Sequence, residues 1–194
     1  MPKSLYLIAL CFLLSLPLTA QTSPSGEGHG VSIWLGLSVS SFNPDYGCAH
    51  NSPFACWNHQ LIGISPYADT SAFLLGRIGA EGEARFLRWH GPSDMTIDSY
   101  MAGPRVRLWN NRKLLFSGKF LVGNARLTLA PPVNGNYFAL APGCAADYRV
   151  AKHLSTRIDY EYQRWPGFKG VHSGPGHGGL TPNGLSVGFS YALR

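Results

Sequence analysis

Two carboxylates stand two residues apart in the stretch STRIDYEYQRWPGF, residues 155–168. Asp159 and Glu161 alternate there with aromatic residues, and Arg157 precedes them in the same phase. Paired carboxylates are the groups that general acid–base catalysis uses, so the stretch is a candidate catalytic pair. The same alternation is typical of a β-strand with one charged face and one apolar face, because successive side chains of a strand point to opposite sides.

A second group of reactive residue types lies in the glycine-rich segment HSGPGHGGLTPNG, residues 172–184. A serine hydrolase needs a serine hydrogen-bonded to a histidine that a carboxylate orients. His172, Ser173 and His177 supply two of these types, but His172 and Ser173 are adjacent in a loop sequence. We expect a solvated loop here and no catalytic residues, with a hydrolase as the alternative.

The histidines show no spacing that would bind a metal ion, and no glycine-rich phosphate loop follows a predicted strand. We therefore predict neither a metal nor another cofactor. They are spread over loops and turns, at His29, His50, His59, His90, His153, His172 and His177.

Two cysteines bracket the polar, turn-rich segment CAHNSPFAC. In an oxidising compartment Cys48 and Cys56 are the natural disulfide pair. Two free thiols, or soft metal ligands helped by His50 and His59, are the alternatives. Cys144 is then unpaired, as a small apolar residue on a strand.

The first residues of the chain predict export. Lys3 supplies a positive end, residues 5–16 an apolar run, and Ala20 the last residue before a cleavage site, so residues 1–20 read as a secretory signal peptide. An uncleaved transmembrane helix is the alternative, which a short run interrupted by Ser15 and Pro17 disfavours. We expect a flexible lead-in at residues 21–30 and one β-barrel domain at residues 31–194.

The composition fits a chain with little water-facing surface. It is 45% hydrophobic and only 13% charged, whereas soluble domains carry roughly 25% charged residues. The net charge of +6 is spread without a basic run, and together with export it argues against a nucleic-acid partner.

Beyond the signal, two-residue alternation recurs with many glycines and prolines, which predicts an all-β chain. Pro66 suggests a bulge or kink, and a slip of the alternation near Asn124 suggests a second bulge. The segments give an eight-stranded antiparallel up-and-down transmembrane β-barrel, with strands of roughly ten residues. The odd-numbered connections are mostly long, as on the outer side of outer-membrane barrels: 43–58, 90–98, 130–136 and 166–183.

Alternation does not decide which face meets water, because a soluble lipocalin-like barrel has the same period with the faces exchanged. Lysine is scarce and the alternating charges match by sign, so we expect them in a lumen that side chains fill. The alternative to such a salt-bridge network is a proton or ion path. The predicted network comprises Glu81, Glu83, Arg85, Arg105, Arg107, Asp147, Arg149, Arg157, Asp159 and Glu161.

Aromatic residues near strand ends are predicted to form the girdles that mark membrane interfaces. They are Phe42, Phe86, Trp109, Tyr162 and Trp165.

The segments FALAPGCAADYRVAKHLSTRIDYEYQRWPGF and LTPNGLSVGFSYAL resemble the closing strands of small OmpA-like outer-membrane β-barrel proteins, and ARFLRWHG and GPRVRLW extend the resemblance. It implies a stand-alone barrel in the cell outer membrane, without a peptidoglycan-binding domain. Its partners would be outer-membrane lipid and the barrel-insertion machinery. Its role would be structural or a surface interaction through external loops, with an unnamed partner.

The enzymatic alternative resembles PagL, a lipid A deacylase with the same barrel. In PagL-like proteins the histidine and serine lie two apart on a strand face. The corresponding strand here reads Tyr162, Gln163, Arg164. We therefore expect a protein without enzymatic activity.

Overall fold

A computed structural model describes residues 32–45, 60–70, 77–89, 95–128, 134–168 and 179–193. The predicted signal peptide (1–20), the lead-in (21–30), Cys48, Cys56, His172, Ser173 and His177 lie outside the described residues. Within those ranges there is no helix with the length and apolarity of a membrane span.

Eight strands pair in chain order, each antiparallel to the next, and β8 pairs with β1 to close the barrel. The predicted fold class is confirmed. The strands are β1 (Ile33–Asn43), β2 (Leu61–Thr70), β3 (Ile78–Trp89), β4 (Met95–Asn110), β5 (Leu114–Thr128), β6 (Gly135–Ala151), β7 (Leu154–Tyr162) and β8 (Asn183–Leu193).

The two ends of the barrel differ in their connections. The start of β1 and the end of β8 share one end, here called the terminal end, with the connections 71–77, 111–113 and 152–153. The opposite end, here called the loop end, carries the connections 44–60, 90–94, 129–134 and 163–182. The two longest connections, 44–60 and 163–182, lie at the loop end, as predicted, but 90–94 and 129–134 are shorter than 71–77 at the terminal end. The loop predicted at 90–98 is shortened because β4 begins at Met95.

Apolar side chains face outward and polar or small ones face inward along the middle of each strand. On β1, Leu37 and Val39 are 54% and 60% exposed, while Ser38 and Ser40 between them are buried. On β7, Ile158 is exposed next to the buried Arg157. A soluble lipocalin-like barrel would need the opposite arrangement, because its apolar faces fill the interior.

The bulge predicted near Asn124 is wrong, and of the bulge or kink predicted at Pro66 the structure excludes the bulge. Asn124 lies opposite Tyr100 and Phe138 in unbroken register. At Pro66 the pairing of β2 with β3 lapses and resumes at Tyr67 in the same register, so no residue is inserted. Proline has no N–H to donate, which interrupts hydrogen bonding without shifting the strand.

The register shifts occur instead beside the short connections of the terminal end, between Arg107 and Trp109 and between Arg149 and Ala151. A tight turn constrains the strands that it joins, and an extra residue there adjusts their twist.

Candidate functional site

The interior next to the terminal end is filled by a network of paired charges, here called the charged layer. Strands β2 to β7 supply its charges: Asp69, Glu81, Glu83, Arg85, Arg105, Lys119, Asp147, Arg157, Asp159 and Glu161. Each of these residues is less than one tenth exposed. The six carboxylates outnumber the four cations Arg85, Arg105, Lys119 and Arg157.

Strands β1 and β8 make room for the charged layer with small inward residues. Ser40 shares hydrogen bonds of 2.7 Å with Ser65 and with Ser186, which ties three strands together. A Cβ atom on Gly36 would lie 2.1 Å from Cζ of Tyr67 and clash with its ring. The long side chains of the other strands therefore cross a lumen that β1 and β8 leave open.

Lys119 is the centre of the acidic side of the layer. Its Nζ lies 3.1 Å from Glu81 Oε1, 3.1 Å from Glu83 Oε2, 2.7 Å from Asp159 Oδ2 and 3.1 Å from Glu161 Oε2. One ammonium group thus neutralises part of the charge of carboxylates from two strands on opposite sides of the barrel.

Arg85 links this group to the wall of β2 and to an aromatic ring. Its Nη1 donates to Glu161 Oε1 at 2.6 Å, its Nη2 pairs with Glu83, and its Nε donates to Ser65 Oγ at 3.2 Å. Its guanidinium carbon lies 4.0 Å from the centre of the Phe42 ring. A guanidinium presents its donors in a fixed plane, so the side chain is held from several directions.

Two further arginines bind the carboxylates nearer the terminal end. Arg157 reaches Asp147 Oδ1 at 2.6 Å, Glu81 Oε2 at 3.2 Å and Asp69 Oδ2 at 2.5 Å. Arg105 contacts the same carboxylates, at 2.9 Å from Asp69 Oδ2 and 3.2 Å from Glu81 Oε2, and pairs with Asp147. The two arginines share these carboxylates, so substitution of either leaves the buried carboxylates with fewer cations.

The interior next to the loop end is apolar, which the sequence analysis did not anticipate. These residues, here called the apolar plug, lie in the middle and loop-end parts of the strands and in the connection 163–182. They are Phe42, Leu61, Leu87, Met95, Ile97, Met101, Leu121, Ala125, Leu127, Ala139, Ala141, Trp165, Phe168 and Leu180. Side chains thus occupy the lumen at two levels, one charged and one apolar.

Phe42 and Trp165 belong to the apolar plug, so the prediction that they form part of an interfacial girdle is wrong. Both are fully buried. Phe42 shares the inward phase of Ser40, and Trp165 that of Glu161 and Gln163. Phe86, Trp109 and Tyr162 lie in the outward phase that a girdle requires, but two-residue alternation places the other two inside.

Gln163 connects the two levels. Its Nε2 donates to Glu161 Oε1 at 2.8 Å, and its Oε1 accepts from Trp165 Nε1 at 2.9 Å. Tyr137 stacks on Trp165 with ring centres 5.9 Å apart and meets Phe168 edge-on at 5.0 Å. At the position compared with PagL-like proteins, the structure therefore has an amide that bridges the charged layer and the plug.

Most of the predicted network residues meet in the charged layer, and two do not. Arg107 and Arg149 lie farther toward the terminal end and make no ion pair with a described residue. Lys119 and Asp69 were missed, although Lys119 is in phase with Ser117 and Asp69 with Ser65 and Tyr67. A reading of each strand's inward phase, including isolated charges, would have found both.

The structure groups Asp159 and Glu161 with the cations Lys119 and Arg85. Among the described residues no group of histidine, cysteine and acidic side chains is suited to hold a metal ion. Cys144 has a free thiol. In this geometry the carboxylates balance buried positive charge.

No protein-family model and no curated protein matches the chain. Solved structures do. The outer membrane protein OprG from Pseudomonas aeruginosa is 13% identical, with a TM-score of 0.54 over 85% of this chain and 96% of that one. Neisserial surface protein A is 11% identical, with a TM-score of 0.52 over 83% of this chain and 96% of that one.

The chain has the fold of the small eight-stranded outer-membrane β-barrels. This fold has an apolar outer band against lipid and an interior of alternating side chains. The exposed Leu37, Val39 and Phe189 of this barrel fit such a band.

Proposed function

We propose that the protein is an outer-membrane barrel that acts through surface interactions of its loop-end connections. The observation that carries this proposal is the interior, which is occupied by the charged layer and by the apolar plug. A lumen filled in this way offers solutes no wide pore. The rims and the connections are then the parts that remain for partners.

The location and orientation follow from physical arguments. The exposed apolar band would be costly in water, since its residues form one continuous surface around the barrel. The long connections lie at the loop end, which in outer-membrane barrels faces outward. We therefore place the loop end outside the cell and the terminal end in the periplasm, after insertion by the barrel-insertion machinery.

Export and location are tested in a Gram-negative host. We expect the mature protein to begin at Gln21, to remain in the outer-membrane fraction and to migrate faster in gels before heating. An epitope inserted within residues 46–59 should be accessible on intact cells, whereas one at Arg112 in the turn 111–113 should not. Recovery from the soluble periplasm would contradict the proposed location. Labelling of the epitope at Arg112 on intact cells would contradict the proposed orientation.

The surface role is tested by a variant in which short Gly-Ser linkers replace residues 46–59 and 169–178. We expect this variant to fold into the outer membrane but to lose adhesion of whole cells to solid and cellular surfaces. Equal adhesion of cells with the wild-type chain and cells with the linker variant would contradict the surface role. If the linker variant also restored detergent resistance to a deletion strain, the barrel alone would have a structural role.

We also infer that the protein is not an enzyme. Mass spectrometry of lipid A from cells with the wild-type chain and with Ser173→Ala tests the hydrolase alternative. Loss of an acyl chain that depends on Ser173 would overturn this inference, and unchanged lipid A in both strains would support it.

A further inference from the structure

The terminal end of the barrel opens into a cavity of about 140 Å³. Its walls are the starts of β1, β3, β5 and β7, the ends of the other strands, and the turn 111–113. Arg105 and Arg157 of the charged layer form its floor together with Asp69 and Asp147. The cavity is therefore a polar recess above paired charges.

The recess is lined by more positive than negative side chains. Asp69 and Asp147 are both bound by Arg105 and Arg157. Further cations line the recess and make no ion pair with a described residue. These cations, here called the basic mouth, are Arg77, Arg107, Arg112, Lys113 and Arg149.

The connection 71–77, which leads to Arg77, does not supply negative charge to balance these cations. Residues 71–76 read SAFLLG and contain no acidic side chain. Four of the five cations of the basic mouth are arginines, whose planar guanidinium carries a positive charge.

Backbone hydrogen bonds hold the cations of the basic mouth next to one another. The N–H of Arg107 donates to the carbonyl of Arg77 at 2.8 Å, and the N–H of Arg149 donates to the carbonyl of Lys113 at 2.7 Å. Arg107 shares the inward phase of Arg105. The register shifts beside Arg107 and Arg149 lie at the same rim. Several cations thus converge on one recess.

We propose that the basic mouth binds a phosphate-bearing anion. Guanidinium groups match the oxygens of phosphate with paired donors, and an anion would relieve the repulsion among neighbouring cations. The recess lies at the rim of the barrel, where both a phospholipid headgroup and a soluble phosphate have access. The ligand chemistry is the same for both sources.

The test compares two double variants of equal charge. Arg107→Gln with Arg149→Gln removes two cations of the basic mouth. Arg126→Gln with Arg164→Gln removes two arginines near the loop end and serves as the matched control. The wild-type protein and the two double variants are first shown to be folded by heat-modifiable gel migration. Arg149 is exposed, so its substitution should not disturb folding.

Two probes distinguish the sources. Calorimetry with inorganic phosphate, on protein in phosphatidylcholine nanodiscs, measures binding of the free anion. Native mass spectrometry of protein from membranes containing phosphatidylglycerol and phosphatidylcholine measures retention of an anionic headgroup. For at least one probe we expect wild-type binding that weakens with added salt and falls about tenfold or more in the mouth variant, but not in the control.

The probe that shows this difference identifies the source of the anion. Failure of both probes to bind the wild-type protein would overturn the proposal. An equal loss in both double variants would also overturn it, because net charge and not the basic mouth would then explain the binding. The surface role of the loop end does not enter these measurements.

Discussion

Substituting methionine for Lys119 should lower the free energy of unfolding by about 3–5 kcal/mol. Methionine is unbranched and nearly as long as lysine, but it has neither the charge nor the N–H donors of the ammonium group. The change leaves Glu81, Glu83, Asp159 and Glu161 without the ammonium group that lies within 3.1 Å of each. Acids already outnumber bases in the charged layer, so the remaining cations do not compensate.

The magnitude follows from two opposing terms. At an effective dielectric constant of about 20, each of the contacts of Lys119 contributes roughly 5 kcal/mol of gross attraction. Removing the ammonium and the carboxylates from water offsets most of this sum. What the substitution measures is the cost of leaving Asp159 buried without a cation and the other three carboxylates with fewer cations, and breaking a buried pair costs about 3–5 kcal/mol.

Urea unfolding of the barrel in lipid vesicles, followed by tryptophan fluorescence, measures this cost. For a slope of about 2 kcal/mol per molar urea, the midpoint should fall by about 1.5–2.5 M. Lys113→Met, in the exposed turn 111–113, is the control and should shift the midpoint by less than about 0.5 M. If Lys119→Met shifted it no more than the control, the assignment of Lys119 to the charged layer would be refuted.

A double-mutant cycle with Asp159 isolates one pair. The only ion pair of Asp159 with a described residue is the 2.7 Å contact with Lys119. Asp159→Asn should be destabilising in the wild-type chain and stabilising in the Lys119→Met chain, because it then removes an unpaired buried charge. The same effect in both backgrounds would show that the two side chains do not interact.

Two further substitutions test the inner and outer faces by the same unfolding assay. Gly36→Ala should cost about 1–3 kcal/mol because its Cβ would displace the ring of Tyr67, whereas Gly82→Ala, with nothing within 4 Å of its Cβ, should change stability by less than about 1 kcal/mol. A tolerated Gly36→Ala would mean that Tyr67 packs elsewhere. Leu37→Arg, in the middle of the exposed face of β1, should cost about 2–4 kcal/mol in lipid, and Leu193→Arg, at the strand end, less than about 1 kcal/mol. Equal costs at the two positions would argue against a lipid-facing band.

Much of the fold could be predicted because strand alternation is a local property. The inward phase of β7 can be read from its own charged residues, without reference to any other strand. These residues are Arg157, Asp159 and Glu161. The same phase, carried four residues beyond Glu161, places Trp165 inside. The wrong assignment of Trp165 to a girdle came from its residue type, which outweighed the phase that the sequence already contained.

The bounds and bulges were less predictable because they depend on neighbouring strands. Met95 extends β4 because it pairs with Trp89 of β3, and its side chain joins the apolar plug. The irregularities lie at tight turns and not at Asn124, where the local pattern slips but the register with both neighbours continues. Hydrogen bonding between strands decides these points, and no single segment encodes it.

The sequence by itself determined the number of strands, the two-residue alternation of their faces and the phase that acids and arginines share on each strand. Only the tertiary structure decided which of these charges meet. Lys119 is the only charged residue at an inward position of β5. It becomes the centre of a network because closure of β8 onto β1 brings β3 and β7 within reach of its ammonium group. Contacts across a barrel depend on closure and stagger, which are properties of all the strands together. The separation of the lumen into a charged layer, an apolar plug and a basic mouth has the same origin.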